Sequence, residues 1–353
     1  MSRVLICCGS GGVGKTTTSA ALALRLATAG ERVVVLTIDP ARRLADALGV
    51  EGVGNTPVSV PLPEGARGSL EAMMLDSKRT FDDVIRRFAP EPEAQERILR
   101  NHIYRHVSSR LAGAHEYMAM EKLLELAAED RWDVVVVDTP PTAHALDFLR
   151  APDRLANLMD EGVMRWLVLP ASRGGWRMIE RGSEVLAHIL ERFLGERTIG
   201  DIAEFFAALQ ALWEGFRERS LQVRSLLHSP TTRFFLVTTP APNARVEALQ
   251  FLDILQAGGL PFGGFLVNRC AVPLRHEGAL GFDPVDDPRW PPTVAALEAL
   301  RERRRRLASS EDHALDQLRL RAPGAPLWRI PDLPVDLHDL DGLARVAAHL
   351  PAV

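Results

Sequence analysis

The stretch Gly9-Ser10-Gly11-Gly12-Val13-Gly14-Lys15-Thr16 decides the fold, because it fits the phosphate-loop spacing G-x-x-x-x-G-K-S/T. The apolar run at residues 4–8 predicts a buried strand before it, and the Ala/Leu-rich segment 16–29 predicts a helix after it. In such a unit, backbone N–H groups point at phosphate oxygens and the helix N-terminus adds a favourable dipole. Lys15 would reach the β- and γ-phosphates, and Thr16 would offer its hydroxyl to Mg²⁺. The stretch therefore predicts a nucleotide-binding loop.

The composition is typical of a globular protein. Apolar residues make up 46% of the 353 residues and charged residues 25%. The formal net charge of −4 gives no reason to expect nucleic acid as a general partner. Cys7, Cys8 and Cys270 form neither a disulfide framework nor a C-x-x-C pair, and no apolar run approaches the roughly 20 residues that span a bilayer. We therefore expect a cytoplasmic protein without an integral membrane segment.

Asp39 follows a second apolar run, residues 32–38, and precedes Pro40. Strand, loop, helix and strand begin a parallel sheet with right-handed crossovers. In open α/β sheets the carboxyl ends of the strands face the ligand, so Asp39 would face the γ-phosphate or its attacking water. The alternative is a helix N-cap that takes no part in chemistry.

Asp138 ends a run of four valines at residues 134–137, which predicts another buried strand with a carboxylate at its ligand end. This is the Walker B arrangement, in which the aspartate reaches Mg²⁺ directly or through a bound water. Residues 139–144 then predict a polar, proline-stiffened loop at the γ-phosphate edge.

The chain between and after these strands is mostly helical in pattern. Residues 51–69 are rich in Gly and Pro and predict a loop, whereas residues 77–129 predict helices. Apolar residues recur at helical spacing across 151–228, which predicts amphipathic helices inserted between strands. The methionines and aromatic residues there, such as Met164 and Trp166, suit either a core or an exposed apolar groove.

The strand pattern resumes after this insertion and ends in a final strand near Trp328. We therefore predict an α/β fold: a doubly wound, mostly parallel P-loop NTPase sheet with an inserted helical subdomain. A single ATPase domain would cover residues 1–353, with the helical subdomain at 151–228. Residues 229–353 would return to the sheet and contribute base-binding loops and a C-terminal helix.

Two further motifs point to a family. Asp39-Pro40-Ala41 follows the second strand, and Asp138-Thr139-Pro140-Pro141-Thr142-Ala143-His144 follows the Walker B strand. Together with the phosphate loop, they resemble the arsenite-pump ATPases and their relatives, the ATPases that guide tail-anchored membrane proteins. These are deviant-Walker-A proteins related to MinD. The resemblance covers essentially the whole chain, including the helical insertion.

The resemblance implies a role for each motif residue. Lys15 would act on the phosphates, Asp39 would orient or activate the hydrolytic water, and Asn268 would contact the adenine. The implied nucleotide-binding set is Ser10, Gly11, Gly12, Val13, Gly14, Lys15, Thr16, Thr17, Asn268, Pro331 and Asp332. The implied Mg²⁺ ligands are Thr16, Asp39 and Asp138. The implied switch residues are Asp39, Pro40, Asp138, Thr139, Pro141, Thr142 and His144.

The chain also departs from the family pattern. The family loop has a lysine that reaches across a dimer to the partner's phosphates, and this chain has Ser10 in its place. Arg42 and Arg43 stand where the family commonly has His and a small polar residue, and a guanidinium suits phosphate well. The zinc-binding C-x-x-C of the eukaryotic targeting factors and the cysteine triad of the arsenite pump are both missing. A zinc-bridged dimer and arsenite binding are therefore not expected.

These features predict a Mg²⁺-dependent ATPase in which ATP closes a dimer and closure acts on an apolar client or partner protein. Because Ser10 cannot supply the charge across the dimer, we predict a heterodimer with a paralogue that keeps the lysine. Slow hydrolysis by a homodimer and substitution by Arg42 or Arg43 stay open. Two other classes compete: a MinD-like regulatory switch, and a subunit that hydrolyses weakly or only completes a partner's site. The helix predicted at 340–350 lacks the basic face that a MinD-like membrane tail needs.

Overall fold

One eight-stranded sheet runs through the part of the chain that the computed structural model describes, residues 1–39, 43–88, 92–101, 104, 114–140, 213–271, 290–333 and 339–351. Its strands are β1 (Arg3–Cys8), β2 (Arg32–Thr37), β3 (Val58–Val60), β4 (Ser69–Met74), β5 (Val134–Asp138), β6 (Thr232–Thr238), β7 (Phe262–Cys270) and β8 (Leu327–Pro331). The described helices are α1 (Lys15–Ala29), α2 (Arg43–Leu48), α3 (Ser77–Phe88), α4 (Pro92–Arg100), α5 (Ala114–Ala128), α6 (Trp213–Leu227), α7 (Pro242–Ala257), α8 (Trp290–Arg321) and α9 (Leu340–Ala347).

The strand order is β3-β4-β2-β5-β1-β6-β7-β8. Neighbouring strands are parallel except for the antiparallel pair β3 and β4. This order confirms the predicted mostly parallel α/β fold. Because β5 lies between β1 and β2, the strands that lead into the phosphate loop, Asp39 and Asp138 are direct neighbours.

Helices cover both faces of this sheet, as in a doubly wound fold. Ile6 and Cys8 of β1 belong to one core, which α5, α6, α7 and α8 complete. Leu5 and Cys7 belong to the other core, which α1, α2 and α9 complete. Successive side chains of a strand point to opposite faces, so burial on both faces explains why the parallel strands are continuous apolar runs.

The loop predicted at 51–69 is wrong in part, because it contains β3 and the start of β4. Both strands are hard to recognise in the sequence. β3 has three residues and lies between Pro57 and Pro61, which fits an edge strand since proline cannot donate to a ladder. β4 is built of Ser, Leu, Glu, Ala and Met rather than the β-branched and aromatic residues that are typical of strands.

The predicted helical insertion falls mostly outside the described residues. Of its range, 151–228, the structure describes residues 213–228, where α6 leads into β6. Met164 and Trp166 are not among the described residues, and the division into subdomains stays a prediction. Across the described parts of the chain, no helix is at once long enough and apolar enough to cross a membrane.

Candidate nucleotide-binding site

The phosphate loop connects β1, near the centre of the sheet, to the N-terminus of α1. Gly14 is the N-cap of α1 with φ +89°, and a Cβ there would lie 2.3 Å from Nδ2 of Asn268. A Cβ on Gly9 would lie 2.1 Å from the carbonyl oxygen of Val237. Glycine is therefore required at both positions, because the loop packs closely against the ends of β6 and β7.

Lys15 folds back over the loop from which it projects. Its Nζ donates a hydrogen bond to the carbonyl oxygen of Ser10 at 2.9 Å, and the residue is only 8% exposed. Burial lowers the pKa of the ammonium group, and the negative charge of Asp138 opposes that change. An ammonium group has three N–H donors, so the contact with Ser10 leaves donors for an anionic ligand.

Asp138 is a buried carboxylate whose two oxygens differ in their hydrogen bonds. Its Oδ2 accepts hydrogen bonds from Oγ1 of Thr16 at 2.8 Å and from Oγ1 of Thr37 at 3.0 Å. Its Oδ1 is buried and has no hydrogen-bond partner among the described residues. Burial raises the pKa of Asp138 to about 6, although the two hydroxyls and Lys15 favour the ionised form. A buried polar atom without a partner is costly, and such an oxygen at a strand end is suited to bind a ligand.

The oxygen atoms at this position fit a magnesium ion. Mg²⁺ prefers hard oxygen ligands and usually takes one or two carboxylates together with phosphate and water. Asp138 supplies the unpartnered oxygen, and the hydroxyl of Thr16 lies against the other oxygen of the same carboxylate. The structure thus brings two of the three predicted Mg²⁺ ligands together.

Asp39 lies two residues beyond the end of β2, the neighbour of β5. Its backbone N–H donates to Oγ1 of Thr37 at 3.3 Å, and its Oδ2 lies 3.2 Å from Nη1 of Arg43. Thr37 therefore contacts Asp39 and Asp138 with one hydroxyl. The guanidinium of Arg43 is largely exposed, so its ion pair with Asp39 is partly screened by solvent.

The predicted base-contacting residues meet at the ends of β7 and β8. Nδ2 of Asn268 donates to the carbonyl oxygen of Val13 at 2.9 Å, so this side chain holds the phosphate loop. The N–H of Asp332 donates to the carbonyl oxygen of Cys270 at 2.9 Å, next to the paired Cys270 and Pro331. The contact of Asn268 with an adenine stays a prediction.

The other predicted residues divide between loop backbone and undescribed chain. Gly11 and Gly12 are exposed at the tip of the loop, and Val13 is buried beneath it. Thr17 lies in the first turn of α1, and Oγ1 of Thr139 donates to the carbonyl oxygen of Cys7 at 2.9 Å. Four predicted residues and one alternative lie outside the described residues: Pro40, Pro141, Thr142, His144 and Arg42.

Sequence reasoning missed two residues at this edge. Thr37 is a polar residue that follows the apolar run 33–36 of β2 and lies at the carboxyl end of that strand, and that position was a usable signal. His115, near the start of α5, has its Nε2 3.1 Å from the carbonyl oxygen of Ile38. No sequence motif indicates His115, because Ile38, whose carbonyl oxygen it contacts, lies 77 residues away in the chain.

A family model described as anion-transporting ATPase matches residues 2–273, which include both strand-end aspartates and the phosphate loop. The chain belongs to this family. Membership confirms the resemblance that the motifs predicted, and it confirms the predicted class, an ATP-binding P-loop ATPase.

Individual relatives of this family member match over parts of their length. "Putative arsenical pump-driving ATPase" of Halobacterium salinarum is 33% identical over 182 residues, 49% of this chain and 27% of that protein. "Putative arsenical pump-driving ATPase 2" of Aquifex aeolicus is 30% identical over 237 residues, 64% of this chain and 76% of that protein. "ATPase GET3" of Malassezia globosa is 33% identical over 151 residues, 43% of each chain. The match therefore spans less than half of two of these three relatives.

Proposed function

We propose that this chain hydrolyses ATP with Mg²⁺ and that ATP-driven closure of a dimer acts on an apolar client or partner protein. The main support is the contact between Thr16 and Asp138 beside Lys15. A phosphate-binding lysine and a buried carboxylate meet there at the carboxyl ends of adjacent parallel strands, where open α/β sheets bind ligands. The names of the arsenical pump-driving and GET3 relatives support the same class of enzyme.

Each residue of the site would have a separate task. Lys15 would bind phosphoryl oxygens with the donors that Ser10 leaves free. Thr16, Asp39 and Asp138 would hold Mg²⁺, which when bound neutralises charge on the phosphates. Asp39 would accept a hydrogen bond from the attacking water and orient it. Catalysis would then consist of positioning and charge stabilisation.

The dimer would lack one charge at each active site. Ser10 is short, uncharged and buried, so it cannot reach a partner's phosphates. We propose a heterodimer with a paralogue that keeps a lysine at this position, because the other residues of the family's phosphate loop, Gly11 to Thr17, are present in this chain. Arg43, which contacts Asp39, is the described alternative source of charge. With no C-x-x-C pair, the dimer would have no zinc bridge.

The client would bind to the inserted region, residues 151–228. Its support is the helical spacing of methionines and aromatic residues in the sequence, which suits an adaptable apolar groove. Polar substitution of Met164 or Trp166 should weaken stimulation by an apolar helical peptide and leave basal turnover intact. Global unfolding of these variants would instead assign the two residues to a core. We place these events in the cytoplasm, in keeping with three unpaired cysteines.

Replacement of the loop lysine tests the proposed activity. Lys15→Ala should abolish tight ATP binding or hydrolysis, because it removes the fixed positive charge of the loop. Lys78→Ala is the matched control, since Lys78 is an exposed helix lysine paired with Asp82. Phosphate release and ATP binding are measured for both, with circular dichroism as a check on folding. Equal turnover of Lys15→Ala and wild type would refute the assignment of the loop.

Mixing with a paralogue tests the heterodimer. This chain alone should turn over slowly, and a paralogue that carries the loop lysine should raise the rate by about 10³–10⁵, as charge supplied across an interface can. The gain should disappear when the paralogue's lysine is replaced by alanine. Full, dimer-dependent activity of this chain alone that survives Arg42→Ala and Arg43→Ala would contradict the heterodimer.

A further inference from the structure

His115, the second residue of α5, joins two segments that are far apart in sequence. Its Nε2 lies 3.1 Å from the carbonyl oxygen of Ile38, and its Nδ1 contacts Oγ of Ser77. A carbonyl oxygen can only accept a hydrogen bond, so Nε2 must carry the proton in this contact. In the neutral ring, Nδ1 then accepts from the hydroxyl of Ser77.

The peptide group between Ile38 and Asp39 is consequently held from both sides. Its carbonyl oxygen accepts from His115, and its N–H donates to Oγ1 of Thr37 at 3.3 Å. The same Thr37 hydroxyl is bonded to Asp138. The backbone direction at Asp39 is thus fixed by the carboxylate site on one side and by His115 on the other.

The partners of His115 are themselves fixed to the sheet. Ser77 begins α3 just after β4, and the N–H of Leu75 donates to the carbonyl oxygen of Thr37 at 3.0 Å. α5 runs back along one face of the sheet towards β5, which ends at Asp138. His115 therefore lies in a rigid frame at the ligand edge, which is the requirement for a residue that positions another.

We propose that His115 is a positioning residue for ATP hydrolysis: its hydrogen bond to Ile38 sets the orientation of Asp39 towards the attacking water. It acts through the backbone at Ile38, the residue that follows β2, and no described hydrogen bond joins it to Lys15 or to the carboxylate of Asp138. The inference rests on the proposed function, since it concerns the same Asp39. A misplacement of about 1 Å in an active site can lower a rate about a hundredfold, so a remote contact of this kind can matter for turnover.

Alanine and glutamine substitutions separate positioning from packing. His115→Ala should lower kcat about ten- to a hundredfold and leave KM for ATP near the wild-type value, the pattern of a loss confined to the transition state. His115→Gln should recover most of the rate, because its side-chain amide keeps an N–H donor near the place of Nε2. His228→Ala is the matched control: both ring nitrogens of His228 also contact backbone carbonyls, those of Arg224 and Gly258, beyond the amino end of β6.

Hydrogen exchange of the nucleotide-free protein gives a readout that needs no turnover. The amides of residues 34–39 should exchange faster in His115→Ala than in wild type. In His115→Gln and His228→Ala, the exchange rates of these amides should equal those of wild type. Unchanged exchange and unchanged kcat in His115→Ala would overturn the inference, and so would equal losses in the Ala and Gln variants. Equal ATP hydrolysis by wild type and Lys15→Ala would refute the proposed function. In that case, faster exchange in His115→Ala would still support the contact between His115 and Ile38, and unchanged exchange would refute the contact as well.

If His115→Ala does not fold, Ser77→Ala takes its place. It should show the same kinetic pattern to a smaller degree.

Discussion

Two regions at the carboxyl ends of the strands differ in how fully their polar groups are paired. In the β1/β5 region, defined by Lys15, Thr16, Thr37 and Asp138, two charged groups are buried with shifted pKa values, and one carboxylate oxygen has no described partner. In the β7/β8 region, defined by Asn268, Arg269, Pro331 and Asp332, polar groups are matched to nearby backbone: both ends of the Asn268 amide are hydrogen bonded.

This contrast separates a region with a buried, unpartnered carboxylate oxygen from one whose described polar groups are paired. Buried charges are unfavourable unless opposite charges or hydrogen bonds compensate them. In the β1/β5 region, a bound cation would compensate Asp138 and a bound phosphate would compensate Lys15. The β7/β8 region has no comparable deficit in its described contacts. We therefore expect large effects on chemistry from the first region and small effects on affinity from the second.

Among the variants that test this contrast, Asp39→Asn should have the largest effect, because Thr37 connects Asp39 to the β1/β5 region. Asp39→Asn should keep ATP binding, with Thr16 and Asp138 sufficient to hold Mg²⁺, and slow hydrolysis by about a hundredfold or more, the usual scale for a lost general base. Single-turnover phosphate release and a nucleotide-binding titration measure the two steps separately. Asp46→Asn, an exposed aspartate on the same α2 as Arg43, is the control. Loss of nucleotide binding without a separate effect on hydrolysis would make Asp39 a structural residue or a metal ligand only.

A second prediction concerns the buried charge itself. The pKa of Asp138 is about 6 in the folded protein and about 4 in an unfolded chain, so the folded state binds the proton more tightly. Its contribution to the free energy of unfolding is fully present below pH 4 and declines as the pH rises through 6, by about 3 kcal/mol or less. Asp138→Asn should remove this decline.

Urea unfolding without nucleotide or metal, at pH 4.5 and pH 7, tests the prediction about Asp138. The stability of Asp138→Asn relative to wild type should increase between the two pH values. A difference between the two proteins that stays constant with pH would show that burial of this carboxylate carries no such penalty.

A smaller effect is expected in the β7/β8 region. Asn268→Ala removes one hydrogen bond to the phosphate loop, worth about 1 kcal/mol, so nucleotide affinity should fall about fivefold while kcat stays near wild type. Asn243→Ala, an exposed asparagine in the first turn of α7, is the control. A fall in kcat as large as that of Asp39→Asn would erase the contrast between the two regions.

The smallest expected effect is the response to arsenite, which should not stimulate hydrolysis. Cys7 and Cys8 point to opposite faces of the sheet, and burial raises the pKa of each thiol to about 12. Burial also raises the pKa of Cys270, to about 11. Converging thiolates are therefore not formed by these three residues. Stimulation of turnover by sub-millimolar arsenite that Cys270→Ser removes would contradict this prediction.

The sequence predicts the fold at this edge of the sheet well where the signal is local. The phosphate loop and Asp138 follow from a short motif or a valine run with a charge at its end, and the structure brings Thr16 and Asp138 into contact as such motifs imply. The edge strands β3 and β4 escaped prediction, because a three-residue strand between prolines has no periodicity to detect.

The role proposed for His115 was also beyond sequence reasoning. A lone histidine near a helix start has no distinguishing pattern, and its contact with Ile38 exists only once α5 has packed on the sheet. Thr37 could have been predicted from the sequence. Its hydroxyl lies at the carboxyl end of a buried parallel strand, which is where open α/β sheets bind ligands.

The position of β1 has a consequence for synthesis on the ribosome. β1 is translated well before its two sheet neighbours, β5 and β6, which end at Asp138 and Thr238. At about 5–20 residues per second, the roughly 130 residues that separate β1 from the end of β5 take on the order of ten seconds to translate. Throughout that interval the apolar β1 has neither partner strand, and Thr16 has no Asp138 to contact. The contact between Thr16 and Asp138 can therefore form only after β5 has left the ribosomal tunnel, and until then the unpaired apolar β1 is a segment that a molecular chaperone could shield.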